Sequence, residues 1–139
     1  MSVIVTDEGF GPEDWVHDFL APDQLAANDC APAVAVDLAS DADPDVLRGR
    51  MDAIDLIRID FPSFADGRGF TIARRLRLMG FHGRLRAGGH VIADQYAMAR
   101  RSGFDEVEIS DDLATRQPEP QWIARANWQD HDHQSRLRA

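Results

Sequence analysis

The sequence predicts an α/β protein, built of repeated β/α units whose strands lie side by side in a parallel sheet. Three observations carry this expectation. Short apolar runs alternate with amphipathic stretches from Ala33 onward. Two helix stops are followed by the same Gly-Phe turn and then by a new strand. A chain of 139 residues with 44% hydrophobic content suits a single domain with one ordinary core.

Val3-Ile4-Val5 reads as a first strand. A turn over 9–12 follows, then a short helix carrying Trp15, Phe19 and Leu20 as core contacts. The rhythm then runs strand 33–38, helix 44–51, strand 56–60, helix 69–79, strand 84–87, helix 91–102 and strand 106–109. Asp43 before Pro44 is an N-cap followed by proline at the first helical position, while Gly80 and Gly103 supply the positive-φ residue that stops a helix. Gly80-Phe81 leads into Arg84-Leu85-Arg86, and 23 residues later Gly103-Phe104 leads into Glu106-Val107-Glu108-Ile109, which makes an internal repeat. Strands joined by right-handed helical crossovers pair in parallel.

Four such units make half of a TIM-like β/α barrel or else an open doubly wound sheet, and periodicity leaves both open. Either arrangement has raw edges, to be covered by a dimer partner or by the terminal segments. The chain thus divides into an N-terminal segment 1–32, a β/α core 33–110 and a C-terminal segment 111–139. In the last of these the pattern fades over 111–120, an amphipathic stretch carries Trp122, Ile123 and Trp128, and a disordered polar end is expected.

Composition removes several classes of function. All 15 basic residues are arginine, so Schiff-base chemistry on lysine and a P-loop phosphate site are excluded. The formal charge of −9 argues against nucleic acid and anionic membranes as partners. No apolar run approaches the roughly 20 residues of a membrane span, and the start lacks a secretory signal, so a cytoplasmic location is expected. Cys30 stands alone, which leaves no thiol pair for a disulfide, zinc or an iron–sulfur cluster. The terminal Asp130-His131-Asp132-His133 has metal-ligand residue types but reads as a solvated end. No metal and no cofactor are expected. The charge is unevenly spread, however: between Gly67 and Gly103 eight arginines face one acid, Asp94. Such a basic centre marks either an anion site or helix surfaces that pair with acidic neighbours.

The densest constellation is Asp60-Phe61-Pro62-Ser63-Phe64-Ala65-Asp66-Gly67-Arg68-Gly69-Phe70, at the carboxyl end of a strand and opening into a helix. Ligands of parallel β/α proteins bind at that end, where helix N-termini present free N–H groups. Gly67 and Gly69 allow tight turning, Asp66 could cap the helix or orient Arg68, and Arg68 could grip an anion bidentately. The alternative is a structural turn in which Asp66 and Arg68 pair with each other. The next strand ends Arg86-Ala87-Gly88-Gly89-His90, so Arg86, Gly89 and His90 are expected to join Arg68 at one rim. Arg86, on a strand short of solvent, needs a ligand anion or a carboxylate such as Asp60, Asp66 or Asp94. His90 is an acid/base candidate or a polar helix cap; Asp94 and Gln95 open the next helix as ligand contacts or dipole partners. There is no Gly-x-Ser-x-Gly elbow or His-Glu-x-x-His pair, and Asp66-Gly67-Arg68-Gly69 lacks the third glycine of a dinucleotide fingerprint.

The run Ile59-Asp60-Phe61-Pro62, Phe64, Asp66-Gly67-Arg68-Gly69-Phe70, Ala73-Arg74 and Leu76-Arg77 resembles the bacterial DUF934 family, as do Gly83, Leu85-Arg86-Ala87, Gly89, Asp94-Gln95 and Gly103-Phe104-Asp105. The likeness covers roughly 54–109. It implies a short protein encoded beside assimilatory sulfite or nitrite/sulfite reductases and often labelled an oxidoreductase, a label that fixes no reaction. Two positions depart from the family pattern: His90 stands where Asp is expected, and Ser102 where Cys is common. Asp66, Arg68, Arg86, Asp94 and Gln95 stay intact. The expectation is therefore an accessory protein of sulfite reduction in sulfur assimilation. It would form a homo-oligomer, dock on sulfite reductase or another sulfur-assimilation protein, and bind a small oxyanion through its arginine-lined loops. The alternative is a β/α enzyme or ligand-binding protein for a small phosphorylated or sulfated metabolite.

Overall fold

Within each long strand the residue types alternate, and this decides how the sheet is covered. The computed structural model describes residues 2–22 and 33–126. Its seven strands are β1 (Ser2–Thr6), β2 (Gly9–Pro12), β3 (Phe19–Leu20), β4 (Ala35–Leu38), β5 (Leu56–Phe61), β6 (Arg84–Gly89) and β7 (Glu106–Ser110). Its helices are α1 (Arg68–Leu78), α2 (Tyr96–Ser102), α3 (Asp111–Arg116) and α4 (Glu119–Ile123). One sheet has the order β2-β1-β7-β6-β5-β4-β3. Strands β3 to β7 run parallel, whereas β1 pairs antiparallel with both β2 and β7. The protein is thus α/β with a mostly parallel sheet. The parallel strands follow chain order without reversal, so the doubly wound alternative does not describe this sheet.

Val36, Leu38, Ile57, Ile59, Phe61, Leu85, Ala87, Val107 and Ile109 point to one face. There they share a single core with Ile72, Ala73 and Leu76 of α1, Tyr96 and Ala99 of α2, Leu113 of α3 and Trp122 of α4. The opposite parity is Ala35, Asp37, Leu56, Arg58, Asp60, Arg84, Arg86, Gly88, Glu106 and Glu108, so the face away from the helices is mostly charged, with Ala35 and Leu56 buried at the start of β4 and β5.

The predicted Gly-Phe repeat is real in three dimensions. Gly80 and Gly103 have φ of 102° and 116°. The following N–H groups of Phe81 and Phe104 reach back to the carbonyls of Leu76 and Ala99, as a left-handed helix stop requires. Arg77 and Arg100 repeat as well, each donating from Nη1 to the carbonyl oxygen of the phenylalanine four residues on.

Several elements differ from expectation. The predicted turn over 9–12 is strand β2, and the helix expected around Trp15 is absent, with Phe19 and Leu20 forming β3. The helix over 44–51 is replaced by two 3-10 turns, Pro44–Leu47 and Met51–Ala53, separated by Gly49 at φ 84°. Asp43 still caps the first, accepting from Asp45 N. The helix over 91–102 begins as a 3-10 turn, Ala93–Gln95, because the Gln95 side chain takes the Ile92 N–H. The segment expected to fade after Ser110 forms α3 and α4, where Trp122 is buried and donates from Nε1 to Gln117 O. The N-terminal segment supplies three strands to the same sheet as the β/α core. Cys30, Trp128, residues 130–133 and the expected disordered end lie outside the described residues. Among the described residues no helix is long and apolar enough to cross a membrane.

Gly69, on the buried side of α1, lets the helix approach the sheet closely: a Cβ there would lie 2.5 Å from Cζ of Phe61. Alanine normally favours a helix over glycine by about 1 kcal/mol. Here overpacking prevails, so Gly69→Ala is expected to lower stability by about 1–3 kcal/mol in urea denaturation. Adding Phe61→Leu should recover part of the loss relative to either single change; a raised midpoint for Gly69→Ala alone would show that the helix does not press on the ring.

Candidate functional site

The charged face is ordered by register. Asp37, Arg58, Arg86 and Glu106 stand opposite one another on four successive strands. Arg58 donates from Nε and Nη2 to the two Asp37 oxygens at 2.6 and 2.8 Å, and from Nη1 to Glu108 at 3.1 Å. Gly88 makes that reach possible, since a Cβ on it would lie 3.2 Å from Cδ of Arg58. Arg86 is fully buried; its Nε meets Glu106 at 2.6 Å, and its Nη1 meets Glu13 at 2.6 Å and Glu108 at 2.8 Å. Arg84 pairs with Glu106 at 2.8 Å and with Asp14 at 2.9 Å.

Glu13 and Asp14 belong to the segment that leaves β2 at one edge of the sheet and arrives as β3 at the other, so it straps the charged face. Its Phe19 ring lies 3.7 Å from the Arg58 guanidinium carbon, a cation–π contact. Burial pushes the Glu13 carboxyl up, but hydrogen bonds from Arg86 and from the Trp15 N–H outweigh it and hold it below its ordinary value. The Arg84 hydrogen bond holds Asp14 below its ordinary value too.

Beyond the strap, toward the carboxyl ends of the strands, the same face opens into a cleft of about 470 Å³. Asp37, Leu38, Ala39, Arg58, Asp60, Gly88, Gly89 and Glu108 line it. Asp37 and Glu108 are held by arginine, whereas Asp60 is exposed and has no partner among the described residues.

The residues singled out in the sequence divide between this face and the rim. Arg68 and Arg86 do not meet. Arg68 is 60% exposed and pairs bidentately with Asp66 at 2.7 and 3.0 Å, with a further bond from Nη2 to Ser40 Oγ at 2.9 Å. The Arg68 side chain, helped by its backbone N–H, holds Asp66 well below the usual carboxylate range, so Asp66 both accepts the first N–H of α1 and orients the arginine. Arg86 takes Glu13, Asp14, Glu106 and Glu108 as partners, not the expected Asp60, Asp66 or Asp94.

Gly67 precedes α1 as its N-cap, and Gly69 serves packing against Phe61. Gly89 has φ 104°, and a Cβ there would meet the Phe61 carbonyl oxygen at 2.7 Å. His90 donates its backbone N–H to that oxygen and sets its ring edge-on to Phe64. Asp94 pairs with Arg125 at 2.7 Å, and Gln95 Nε2 donates to Phe64 O at 2.8 Å, tying two rim loops together. The basic stretch as a whole is largely matched by acids and carbonyls: Arg75 lies near Asp43 and Asp45, Arg77 reaches Asp105, and Arg100 reaches Asp7.

The sequence reading missed Glu13, Asp14, Asp37, Arg58, Glu106 and Glu108. For Asp37, Arg58, Glu106 and Glu108 the signal was present as charges alternating with apolar residues along the strands, the mark of a sheet face with no helix on it, whereas Glu13 and Asp14 lie outside the strands and carry no such signal. Fold and site together define an α/β protein with a mostly parallel sheet, helices on one face, and a strapped, ion-paired face that opens into a cleft. The chain belongs to the family of bacterial proteins of unknown function DUF934, which matches residues 35–135 and so begins at the first residue of β4. A search of curated proteins finds no match.

Removing the Arg86 charge would leave Glu106 and Glu108 without one of their main partners, so Arg86→Met is expected to cost about 3–5 kcal/mol in chemical denaturation. The pH dependence follows from Glu13 and Asp14. Both have folded values below their unfolded ones. Their contribution is therefore complete above the ordinary carboxylate range and is lost as pH falls through the lower folded values, below roughly pH 4. Thermal melts between about pH 3 and 7 should show this decline, and Glu13→Gln should make it shallower.

Proposed function

We propose that this protein is an accessory of assimilatory sulfite reduction that docks on the reductase in the cytoplasm through the carboxyl-end rim of its sheet. Membership of the DUF934 family supports the setting through the association with sulfite reductases that the resemblance implies. The observation that carries docking is the bracing of the rim around Phe64. This ring is 40% exposed on a loop tied from two sides, by Gln95 to its carbonyl and by Arg68 through Asp66 and Ser40. An exposed aromatic on a preorganised loop loses little conformational entropy when a partner covers it, which is the usual character of an interface anchor.

The sequential strand order with helices on one face reads further as an open segment of a β/α barrel, in which loops at the carboxyl ends carry recognition. An oxyanion clamp between Arg68 and Arg86 has no support in this geometry, because the two share no partner and each is engaged by carboxylates.

The test is binding of the purified protein to purified sulfite reductase by biolayer interferometry. Saturable association is expected, weakened roughly tenfold or more by Phe64→Ser. Arg68→Ala, which frees the loop, should weaken it less. Absence of association at micromolar concentrations, or full affinity in Phe64→Ser, would overturn the proposal.

A further inference from the structure

The cleft on the charged face calls for a ligand of the opposite sign from the oxyanion that the arginines suggest. Asp37, Arg58 and Glu108 of its lining belong to a lattice in which three guanidinium groups, Arg58, Arg84 and Arg86, face five carboxylates: Glu13, Asp14, Asp37, Glu106 and Glu108. This lattice is removed from bulk water at its centre, where Arg86 is fully buried and the Glu106 and Glu108 side chains are 7% and 16% exposed. Its excess negative charge is therefore screened less than the same charge on an open surface.

Asp60 adds one more carboxylate at the mouth, on the strand between Asp37 and Gly88, and among the described residues nothing pairs with it. The guanidinium nearest the cleft is already engaged: Nε and Nη2 of Arg58 are on Asp37, Nη1 is on both oxygens of Glu108, and its face lies against Phe19. An anion entering the cleft would have to displace carboxylates held at 2.6 to 3.1 Å, while a cation meets an unpaired acceptor at once. The space of about 470 Å³ suits a small organic molecule, with the exposed Ala39 on its wall.

We infer that the cleft between the carboxyl ends of β4, β5 and β6 binds a primary ammonium or guanidinium group on a short aliphatic chain, with Asp60 as the anchoring carboxylate, Glu108 as its counterpart across Gly88, and Ala39 against the chain. The inference does not depend on docking to a reductase, and its test uses this protein alone. The ammonium or guanidinium could belong to a free polyamine-like molecule or to a basic side chain of another protein; the chemistry at Asp60 is the same.

The experiment titrates agmatine and putrescine, and in a second arm an acetylated Gly-Arg-Gly amide, into the full chain at constant ionic strength, followed by amide chemical shifts in NMR. Sodium sulfate and inorganic phosphate serve as opposite-sign probes. Saturable shifts of the Gly88 and Gly89 amides with at least one cation are expected, and a preference between the two arms identifies the source. Asp60→Asn, an exposed change that leaves the lattice intact, should weaken binding roughly tenfold or more. Ala39→Trp, which fills the cleft without altering its charge, should abolish it. The inference is overturned if no cation gives saturable shifts there, if binding survives both variants, or if sulfate or phosphate occupies the cleft more tightly than the cations do.

Discussion

Arg86 is the interaction around which the described structure is arranged. A guanidinium cannot lose its charge at any ordinary pH, and removing such a group from water costs several kcal/mol even after relaxation. Its full burial is tolerable only because Glu106, Glu108 and Glu13 close on it at 2.6 to 2.8 Å, with Asp14 farther off at 3.5 Å. Two of these acids come from β7 and two from the segment after β2, so satisfying one side chain fixes both a strand neighbour and the path of the strap. A register slip of one residue between β6 and β7 would turn Glu106 and Glu108 into the apolar core and leave Arg86 with only the acids of the strap. The lattice thus ties the register of β6 and β7 to the path of the strap, and removing any one partner leaves a buried charge uncompensated.

The same lattice explains why the helices occupy one side. A strand reading Arg84-Leu85-Arg86-Ala87 or Glu106-Val107-Glu108-Ile109 offers a helix only one apolar surface. Chain order then follows, because successive right-handed crossovers that all use one face step the strands across the sheet in one direction. The edges this leaves are managed locally. Strand β1 covers β7, β2 covers β1, and Glu119 of α4 accepts the Phe10 N–H at 2.8 Å, capping a donor of β2. Gly9, at φ 116°, makes room for that carboxylate, since a Cβ there would stand 2.7 Å from its oxygen.

What could be read in the sequence was whatever has a local cause. The left-handed stops at Gly80 and Gly103, the apolar parity of β5 and β7 and the body of α1 depend on residues within a turn or two of each other, and they stand where periodicity put them. The losses are tertiary. Trp15, Phe19 and Leu20 carry helical spacing, yet no helix forms because Glu13, Asp14 and Phe19 are drawn onto three arginines of the sheet. The stretch 44–51 has cap and proline but is broken by a positive φ at Gly49. Helix α3 has a readable signal in Ser110, whose hydroxyl accepts the Leu113 N–H, but the expected strand stops at Ile109 and no helix is expected over 111–120. For the site, the carboxyl-end loops were found, whereas the charged face was hidden because its members are scattered over four strands and joined only by register.

The arginines show how composition and affinity come apart. A stretch with eight arginines and one acid looks like a trap for anions, yet most of these side chains are consumed by the fold. Arg77 and Arg100 close helix ends, Arg84 and Arg86 bind strand carboxylates, and Arg68 is held by Asp66. The acids that answer them come from outside the stretch, so counting charge along the chain does not give the charge left unpaired in the fold. Potential at a site is set by what stays unpaired within a Debye length, not by which residue type is frequent nearby. On the described surface of the cleft that group is Asp60, and the sign of any partner recognised there follows from it.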